Sequence, residues 1–284
     1  MTNKWVMLAF LCAIFVVYTI DRALLGLLAK PIMADLGISK EKFSLLSAAV
    51  FWTYALIVPF AGYAGDRFNR ARIIGLAAVA WSLTAIGAGF AGGFSALFAL
   101  AAVSLVVPQT FYGPSAYALM ADEHKSTQTT ALALHQGAMY TGMLTSGALV
   151  AVILGCFGSW RWVYFIFGGA TVLVGLAFTA VYWRNAAMAA TSKKKSISDG
   201  MKAFFGNPAA LCAGSGYVAL IFSANACMSW APTFIAEKFS MDVGAVGKGV
   251  MLGPNLAAMV TVLCAGVITD YFVRKGPRFR LGRQ

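Results

Sequence analysis

The stretch GYAGDRFNRAR, residues 62–72, is a short polar segment between two long apolar runs. Each run is long enough to cross a bilayer, which takes about 20 apolar residues in a helix. The stretch is therefore predicted to be a tight membrane-surface loop between two antiparallel helices, with Asp66 favoured by the dipole of the second helix. Its arginines favour the cytoplasmic side, because Lys and Arg near helix ends set orientation. From these residues alone, a loop with a specific function and an ordinary loop that only sets the orientation of the helices are equally good interpretations.

The composition is that of a polytopic membrane protein. Of 284 residues, 60% are hydrophobic and only 11% are charged, which leaves too little polar surface for a soluble globule of this size. The formal charge of +12 does not indicate nucleic-acid binding, because the basic residues are spread between apolar runs rather than gathered on one surface. The five cysteines are scattered without ligand-type spacing, so we expect no metal, cofactor or redox role for them.

The apolar runs predict eight membrane spans and a division after the sixth. Most of the 22 Lys and Arg residues fall on the side of the two termini, which predicts cytoplasmic termini in a bacterial inner or plasma membrane. The predicted domains are a six-helix bundle at 1–184, a cytoplasmic linker at 185–208 and a partial second bundle at 209–284. The linker carries Lys193, Lys194 and Lys195, which are suited to anionic membrane lipids. The predicted spans are 6–28, 44–65, 72–92, 95–120, 129–156, 162–184, 209–236 and 245–271.

Asp21 and Arg22 are formal charges that fall well inside a predicted span, away from its ends. Each costs about 2.5 to 3.5 kcal/mol at a helix centre on insertion scales, so a function for them is expected. We expect one of the two side chains to face a central cavity and the other a helix interface, with Tyr18 on the stripe of Arg22. An arginine there suits a carboxylate or phosphate, and a desolvated aspartate can exchange a proton. The alternative is a structural pair that joins helix one to a neighbour.

Other polar residues in the spans are candidates for a cavity lining. His135 is interpreted either as a proton relay or as a histidine that hydrogen-bonds a neighbouring helix. The sequence contains no nucleotide loop, metal-ligand cluster or nucleophile with a base, so an enzyme is not expected. Gly253-Pro254-Asn255 is the predicted helix break, because it joins two poor helix formers to a polar side chain. The remaining substrate or proton candidates are Gln136, Tyr140, Gln109, Asn225 and Asn255.

A resemblance to a known family sharpens this interpretation. The pattern Gly62-x-x-x-Asp66-Arg67-x-Asn69-Arg70-x-Arg72 resembles the loop 2–3 signature of the major facilitator superfamily, with Asn69 where Gly is commoner. A weaker copy contains Gly266, Asp270 and Arg274, as parallel duplication of six-helix halves would produce. The chain is most similar to the spinster-like branch, with the organic anion:cation symporter branch second. The stretches that carry this similarity are YTIDR at 18–22, GDRFNR at 65–70, WS at 81–82, WRW at 160–162, WAPTF at 230–234 and PRFR at 277–280.

The resemblance implies an all-α major facilitator fold, here a complete first bundle plus the first two helices of the second. It also implies a secondary transporter that moves an organic anion or amphipathic lipid, often with protons, by alternating access between the bundles. In such proteins Asp66 lies against helix eleven, and by pseudo-symmetry Asp270 is expected to face helix five near Thr129. Here Ser104–Pro108 replaces an arginine common in helix four.

The resemblance also implies twelve helices, whereas this sequence contains eight predicted spans. We therefore expect either a fragment of a transporter or a truncated gene product. The alternative function is a truncated membrane protein that binds a ligand or partner and transports nothing.

Overall fold

The computed structural model describes residues 3–183, 197–240 and 243–275, and every regular element in them is a helix. Helices are expected because, in lipid, a helix satisfies its backbone N–H and C=O groups within one segment. The all-α membrane fold predicted from the sequence is confirmed. The helices are α1 Lys4–Leu27, α2 Ala29–Leu36, α3 Lys40–Arg67, α4 Arg70–Gly89, α5 Phe94–Val107, α6 Gly113–Glu123, α7 Gln128–Phe157, α8 Trp160–Tyr182, α9 Ile197–Phe205, α10 Pro208–Phe239 and α11 Val243–Lys275.

Six of the described helices contain a segment long and apolar enough to cross a membrane. The predicted fourth span is instead divided between α5 and α6. Among the residues of α10 whose side chains the structure describes, an apolar segment covers Pro208–Ser223. The predicted linker contains α9, while its residues 185–196 lie outside the described chain. The six segments are Lys4–Leu27, Lys40–Gly65, Arg70–Gly89, Gln128–Phe157, Trp160–Tyr182 and Leu252–Val273.

The helix break predicted at Gly253-Pro254-Asn255 is wrong. Helix α11 runs through Pro254 without interruption, which is possible because local adjustments and neighbouring groups satisfy the backbone that a proline frees in a membrane helix. The interruption lies at Pro108 instead, where a π-helical turn, Pro108–Tyr112, joins α5 to α6. Such turns are frequent at functional sites, and this one carries Tyr112 into the bundle.

The polar stretch at 62–72 is mostly helix, with a connection of two residues, Phe68 and Asn69. The Asn69 side chain caps α4 by accepting a hydrogen bond from the Arg72 backbone N–H at 3.1 Å. Asparagine is among the best residues at that position, so Asn69 stabilises the start of α4. The connection between α7 and α8 is similar, with Gly158 in the left-handed conformation at φ 67° followed by Ser159 as the cap of α8.

Glycines bring α1 close to α7 and α4 close to α8. A Cβ on Gly142 would lie 2.7 Å from the carbonyl oxygen of Val16, and a Cβ on Gly168 would lie 3.1 Å from that of Ser82. In a membrane the hydrophobic effect does not hold helices together, so they associate through close packing, which small residues allow. Gly142 and Gly168 therefore have a packing role at these two helix contacts.

The chain forms two compact units. The larger comprises residues 1–192 and 261–284, and the smaller comprises residues 193–260. The larger unit contains α1 to α8 and the second half of α11, and its buried side chains form a continuous apolar core. The smaller unit contains α9, α10 and the first half of α11.

Candidate functional site

Asp21, in α1, is a buried carboxylate that Trp81 of α4 reaches with its side chain. It is 4% exposed, and its Oδ2 accepts a hydrogen bond from the indole N–H of Trp81 at 2.9 Å. Within the described chain this is the only hydrogen bond to the carboxylate, and no ion pair reaches it. Asp21 therefore occupies a helix interface with a neutral partner.

Asp21 stands at one end of a series of stacked rings in the larger unit. Tyr18 lies edge-on to Trp81 with ring centroids 5.8 Å apart and stacks on Phe15 at 5.5 Å. Phe15 in turn stacks on His135 of α7 at 4.0 Å, and Tyr112 adjoins both rings. We call Trp81, Tyr18, Phe15, Tyr112 and His135 the aromatic column. Its members come from α1, α4, α7 and the π-helical turn.

His135 and Tyr112 define the polar end of the aromatic column. The Tyr112 hydroxyl donates to the Leu11 carbonyl oxygen at 2.8 Å and lies 2.9 Å from Nε2 of His135. A hydroxyl has one hydrogen, so the hydrogen between Tyr112 and His135 must come from the ring nitrogen. In a neutral imidazole, which has one ring hydrogen, Nε2 is therefore the protonated nitrogen and Nδ1 is an acceptor. Nδ1 is buried and has no hydrogen-bond partner in the part of the chain that the structure describes.

The other substrate or proton candidates are dispersed. Arg22 lies next to Asp21, but its side chain is exposed. Gln136 accepts a hydrogen bond from the Tyr117 hydroxyl at 3.2 Å, and Tyr140 is half-buried one turn further along α7. Asn255 is half-buried in α11 and belongs to the smaller unit. The side chains of Gln109 and Asn225 lie outside the described residues.

The first copy of the signature is tied to the ends of other helices. Arg70 is 9% exposed and forms an ion pair with Asp122 at the end of α6. Arg72 donates from Nε to the Trp183 carbonyl oxygen at 3.1 Å, and its guanidinium lies over the indole ring. The two arginines therefore join the start of α4 to the ends of α6 and α8.

The glycines of this copy differ in their surroundings. A Cβ on Gly62 would meet no atom of the described residues within 4 Å, so their packing does not explain this glycine. A Cβ on Gly65 would lie 3.3 Å from Ser115 Oγ, which is a tight contact with α6. Arg67 lies over a tyrosine ring of its own helix at 4.6 Å. The side chain of Asp66 lies outside the described residues.

In the second copy, Asp270 is bound at the N-terminus of α7. Its carboxylate accepts from the backbone N–H groups of Thr129 and Thr130 at 3.3 and 2.7 Å, and from the Thr130 hydroxyl at 2.6 Å. A Cβ on Gly266 would lie 3.0 Å from the Thr129 carbonyl oxygen, so this glycine lets α11 approach α7. The position expected for Asp270 near Thr129 is confirmed. The side chain of Arg274 lies outside the described residues.

A second buried histidine was not anticipated from the sequence. His124 is completely buried, and its Nε2 donates to the Lys4 carbonyl oxygen at 3.2 Å while its Nδ1 lies 3.0 Å from Thr127 Oγ1. Burial lowers its pKa, an effect that the bond to Lys4 opposes. The polar stretch around His124 gives no signal of burial.

Asp35, in α2, receives two hydrogen bonds from residues at the start of α8, which sequence reasoning also missed. The Trp160 indole N–H donates to its Oδ2 at 3.1 Å, and Arg161 donates from a terminal nitrogen at 2.5 Å. Arg161 also donates to the Ala91 carbonyl oxygen at 3.2 Å. Tryptophan and arginine in succession at a span start are the available signal, since both need polar partners.

Comparison with known proteins identifies the family of the chain. The model of the Major Facilitator Superfamily matches residues 10–282. A D-galactonate transporter of Escherichia coli O6:H1 is 24% identical across 99% of this chain and 70% of its own length. Protein spinster of Drosophila melanogaster is 22% identical across 97% of this chain and 47% of its own length.

A solved structure has the same fold. The crystal structure of a bacterial homolog to the human lysosomal transporter Spinster, inward-facing and unoccupied, superposes with a TM-score of 0.64. It is 20% identical, and the match covers 96% of this chain and 64% of that one. The chain thus spans about half to 70% of the length of these relatives. Because the family model matches nearly the whole sequence, the chain belongs to the major facilitator superfamily.

Proposed function

We propose that this protein carries an organic anion across a membrane together with protons, by alternating access. The observation that carries the proposal is the buried carboxylate of Asp21, whose partner in the described chain is one neutral indole N–H. An ionised carboxylate in an apolar interior is expensive unless it is paired, and proton uptake removes the charge. Asp21 is therefore the proposed proton site.

Arg22 is the proposed contact for the substrate anion. It follows Asp21 directly in α1, and its side chain is exposed. A guanidinium holds a carboxylate through two parallel hydrogen bonds, a geometry that lysine does not provide. The proposal of an anion draws on two relatives, the D-galactonate transporter and a chloroplastic protein of Arabidopsis thaliana described as a probable anion transporter. The second is 22% identical over 92% of this chain and 53% of its own length.

The two signature copies are the proposed gate. Asp270 joins α11 to the start of α7, and Arg70 and Arg72 join α4 to the ends of α6 and α8. Arg70 pairs with the carboxylate of Asp122, whereas Asp270 and Arg72 bind backbone groups at helix ends whose dipoles favour their charges. When the helices separate, all bonds of such a contact break together. The gate would therefore have two states, one with the contacts formed and one with them broken.

Uptake into proteoliposomes tests the proposal, with radiolabelled D-galactonate as the probe. An inward proton gradient is expected to stimulate uptake by the wild-type chain, and Asp21→Asn is expected to abolish the stimulation. Arg22→Lys is expected to raise the KM, because a point charge replaces the planar fork. Glu41→Gln, an exposed carboxylate at the start of α3, is the matched control and should transport normally.

Two results would contradict the proposal. Full stimulation in Asp21→Asn would remove Asp21 from proton coupling. Binding of D-galactonate without any uptake would favour the alternative of a membrane protein that binds its ligand and does not transport it.

A further inference from the structure

The Nδ1 atom of His135 is a buried acceptor without a partner in the described chain. Its lone pair follows from the two bonds of the Tyr112 hydroxyl, which leave the only ring hydrogen on Nε2. Native proteins pair nearly all such atoms, because a buried polar atom without a hydrogen bond has lost its water and gained nothing to offset the free energy of desolvation. An acceptor left open at the end of the aromatic column therefore requires an explanation.

The neighbours of His135 limit how a ligand can reach Nδ1. One face stacks on Phe15 at 4.0 Å, and Tyr112 lies nearly parallel at 5.9 Å; both neighbours are buried. The remaining ring contact is Tyr117, which meets His135 edge-on at 5.5 Å and is 41% exposed. Among these three rings, Tyr117 is thus the one that borders the outside. A ligand that approaches His135 from this side would first meet Tyr117, whose hydroxyl donates to Gln136.

The chemistry of Nδ1 selects the group that it can bind. A bare nitrogen acceptor requires a hydrogen-bond donor, and an ionised carboxylate has none. A hydroxyl group supplies the donor. Nδ1 therefore suits the hydroxylated part of an organic acid and disfavours its carboxylate end.

We infer that Nδ1 of His135 accepts a hydrogen bond from a hydroxyl group of the transported anion, so that the protein prefers hydroxylated acids. The inference rests on the proposed function, which places the carboxylate of the same ligand at Arg22. Phe15, on which His135 stacks, and Arg22 are seven residues apart, or about 10 Å along α1. A six-carbon acid and the length of the arginine side chain together cover that distance.

The test compares two six-carbon acids, D-galactonate and hexanoate, by calorimetric titration of the full chain in detergent. The first acid has hydroxyl groups and the second has none. Two substitutions separate the nitrogens of the histidine. His135→Asn places an amide near Nδ1 and loses the bond to Tyr112, whereas His135→Gln keeps a donor near Nε2 and leaves nothing at Nδ1.

The wild-type chain is expected to prefer D-galactonate by about tenfold, the worth of one well-made hydrogen bond. His135→Gln should lose this preference because its affinity for D-galactonate alone falls. His135→Asn should keep most of the preference. A histidine that only supports the fold predicts the opposite order, since Asn breaks the bond to Tyr112. Each variant is its own control for folding, because hexanoate binding measures the rest of the site.

Three results would overturn the inference. Equal affinity of the wild-type chain for both acids would show that Nδ1 does not contact the ligand or holds only water, although anion binding would stand. Equal weakening of both acids by both variants would leave His135 a structural residue. Binding of neither acid would overturn this inference together with the proposed anion substrate.

Discussion

Two buried aspartates of the larger unit, Asp21 in α1 and Asp270 in α11, have opposite surroundings. Their exposed fractions are 4% and 3%, so burial does not distinguish them. Asp21 accepts one hydrogen bond, from the indole of Trp81. Asp270 accepts three, two of them from backbone N–H groups at a helix N-terminus, where the dipole favours negative charge. The number and kind of donors therefore decide whether a buried carboxylate is a stable cap or a costly charge suited to proton exchange.

Replacing Trp81 with Phe tests the Asp21 half of this comparison and should have the largest effect. The change removes the donor to the carboxylate and leaves part of a fully buried indole volume empty. The expected loss is about 3 kcal/mol of unfolding free energy. It is measured by equilibrium unfolding in detergent.

The same replacement in an Asp21→Asn background isolates the hydrogen bond. The loss there should be about 1 kcal/mol smaller, because a neutral amide is less costly than a carboxylate to leave unpaired. Equal losses in both backgrounds would show that the indole does not stabilise Asp21.

Replacing Asp270 with Asn should destabilise the protein by about 2 kcal/mol, because the charge at the helix N-terminus is lost. Asp21→Asn should cost less than about 1 kcal/mol, since an amide oxygen still accepts from the indole. Thr130→Val is the matched control, because it removes one of the three donors and keeps the carboxylate. Equal shifts in Tm for Asp270→Asn and Asp21→Asn would refute the contrast between the two sites.

Much of the fold follows from the sequence, because long apolar runs and a repeated signature are local features. The repeated signature also predicted that Asp270 lies near Thr129, which is 141 residues away in the sequence. The prediction was possible because duplicated halves place equivalent residues in equivalent positions. The helix break at Pro254 failed, since a proline alone does not show which neighbours satisfy the freed backbone. The structure interrupts the helix at Pro108, where the sequence offers the same kind of signal.

The candidate site was less accessible to sequence reasoning. The charges of Asp21 and Arg22 stand out in an apolar span, but helical periodicity says nothing about a partner 60 residues away. Trp81 entered only through the resemblance, although a buried indole N–H needs an acceptor. The open Nδ1 of His135 depends on a hydroxyl that bonds to α1, which no spacing rule encodes.

The same reasoning about partners extends to the two histidines. Both nitrogens of His124 are paired, whereas His135 has one open nitrogen in the described chain. Burial lowers the pKa of His124 below 6.5, so as pH falls through 6.5 the unfolded chain takes up the proton first. The wild-type chain should therefore lose stability between neutral pH and pH 5. The loss should be smaller in His124→Gln, which keeps a donor for the Lys4 carbonyl.

Unfolding midpoints of the two chains, measured across this pH range in detergent, check the expectation. His135 is present in both chains, so its contribution cancels. Identical pH profiles would show that protonation of His124 does not oppose folding.

Asp35 is a third carboxylate with hydrogen-bond donors, but unlike Asp21 and Asp270 it is exposed. Like Asp270 it has several donors, but it lies at a solvent-accessible end of the bundle, where exposed pairs contribute little. The hydrogen bonds from Arg161 and Trp160 hold its pKa below 3.8. A lowered pKa in the folded state gives a contribution to stability that is present above 3.8 and is lost as pH falls through the folded value.

Asp35→Asn should therefore produce the smallest of these effects, and one confined to a pH window. At neutral pH the variant should unfold slightly earlier than the wild-type chain, because the charged acceptor of Arg161 and Trp160 is gone. As pH falls through the lowered pKa of Asp35, the carboxylate of the wild-type chain is itself protonated, so the two midpoints should converge. The unfolding midpoint of Arg161→Gln should converge with that of the wild-type chain over the same pH window if the guanidinium is the main cause of the lowered pKa of Asp35. A constant difference at every pH would mean that Asp35 acts through its shape rather than its charge, and that counting donors does not extend to exposed carboxylates.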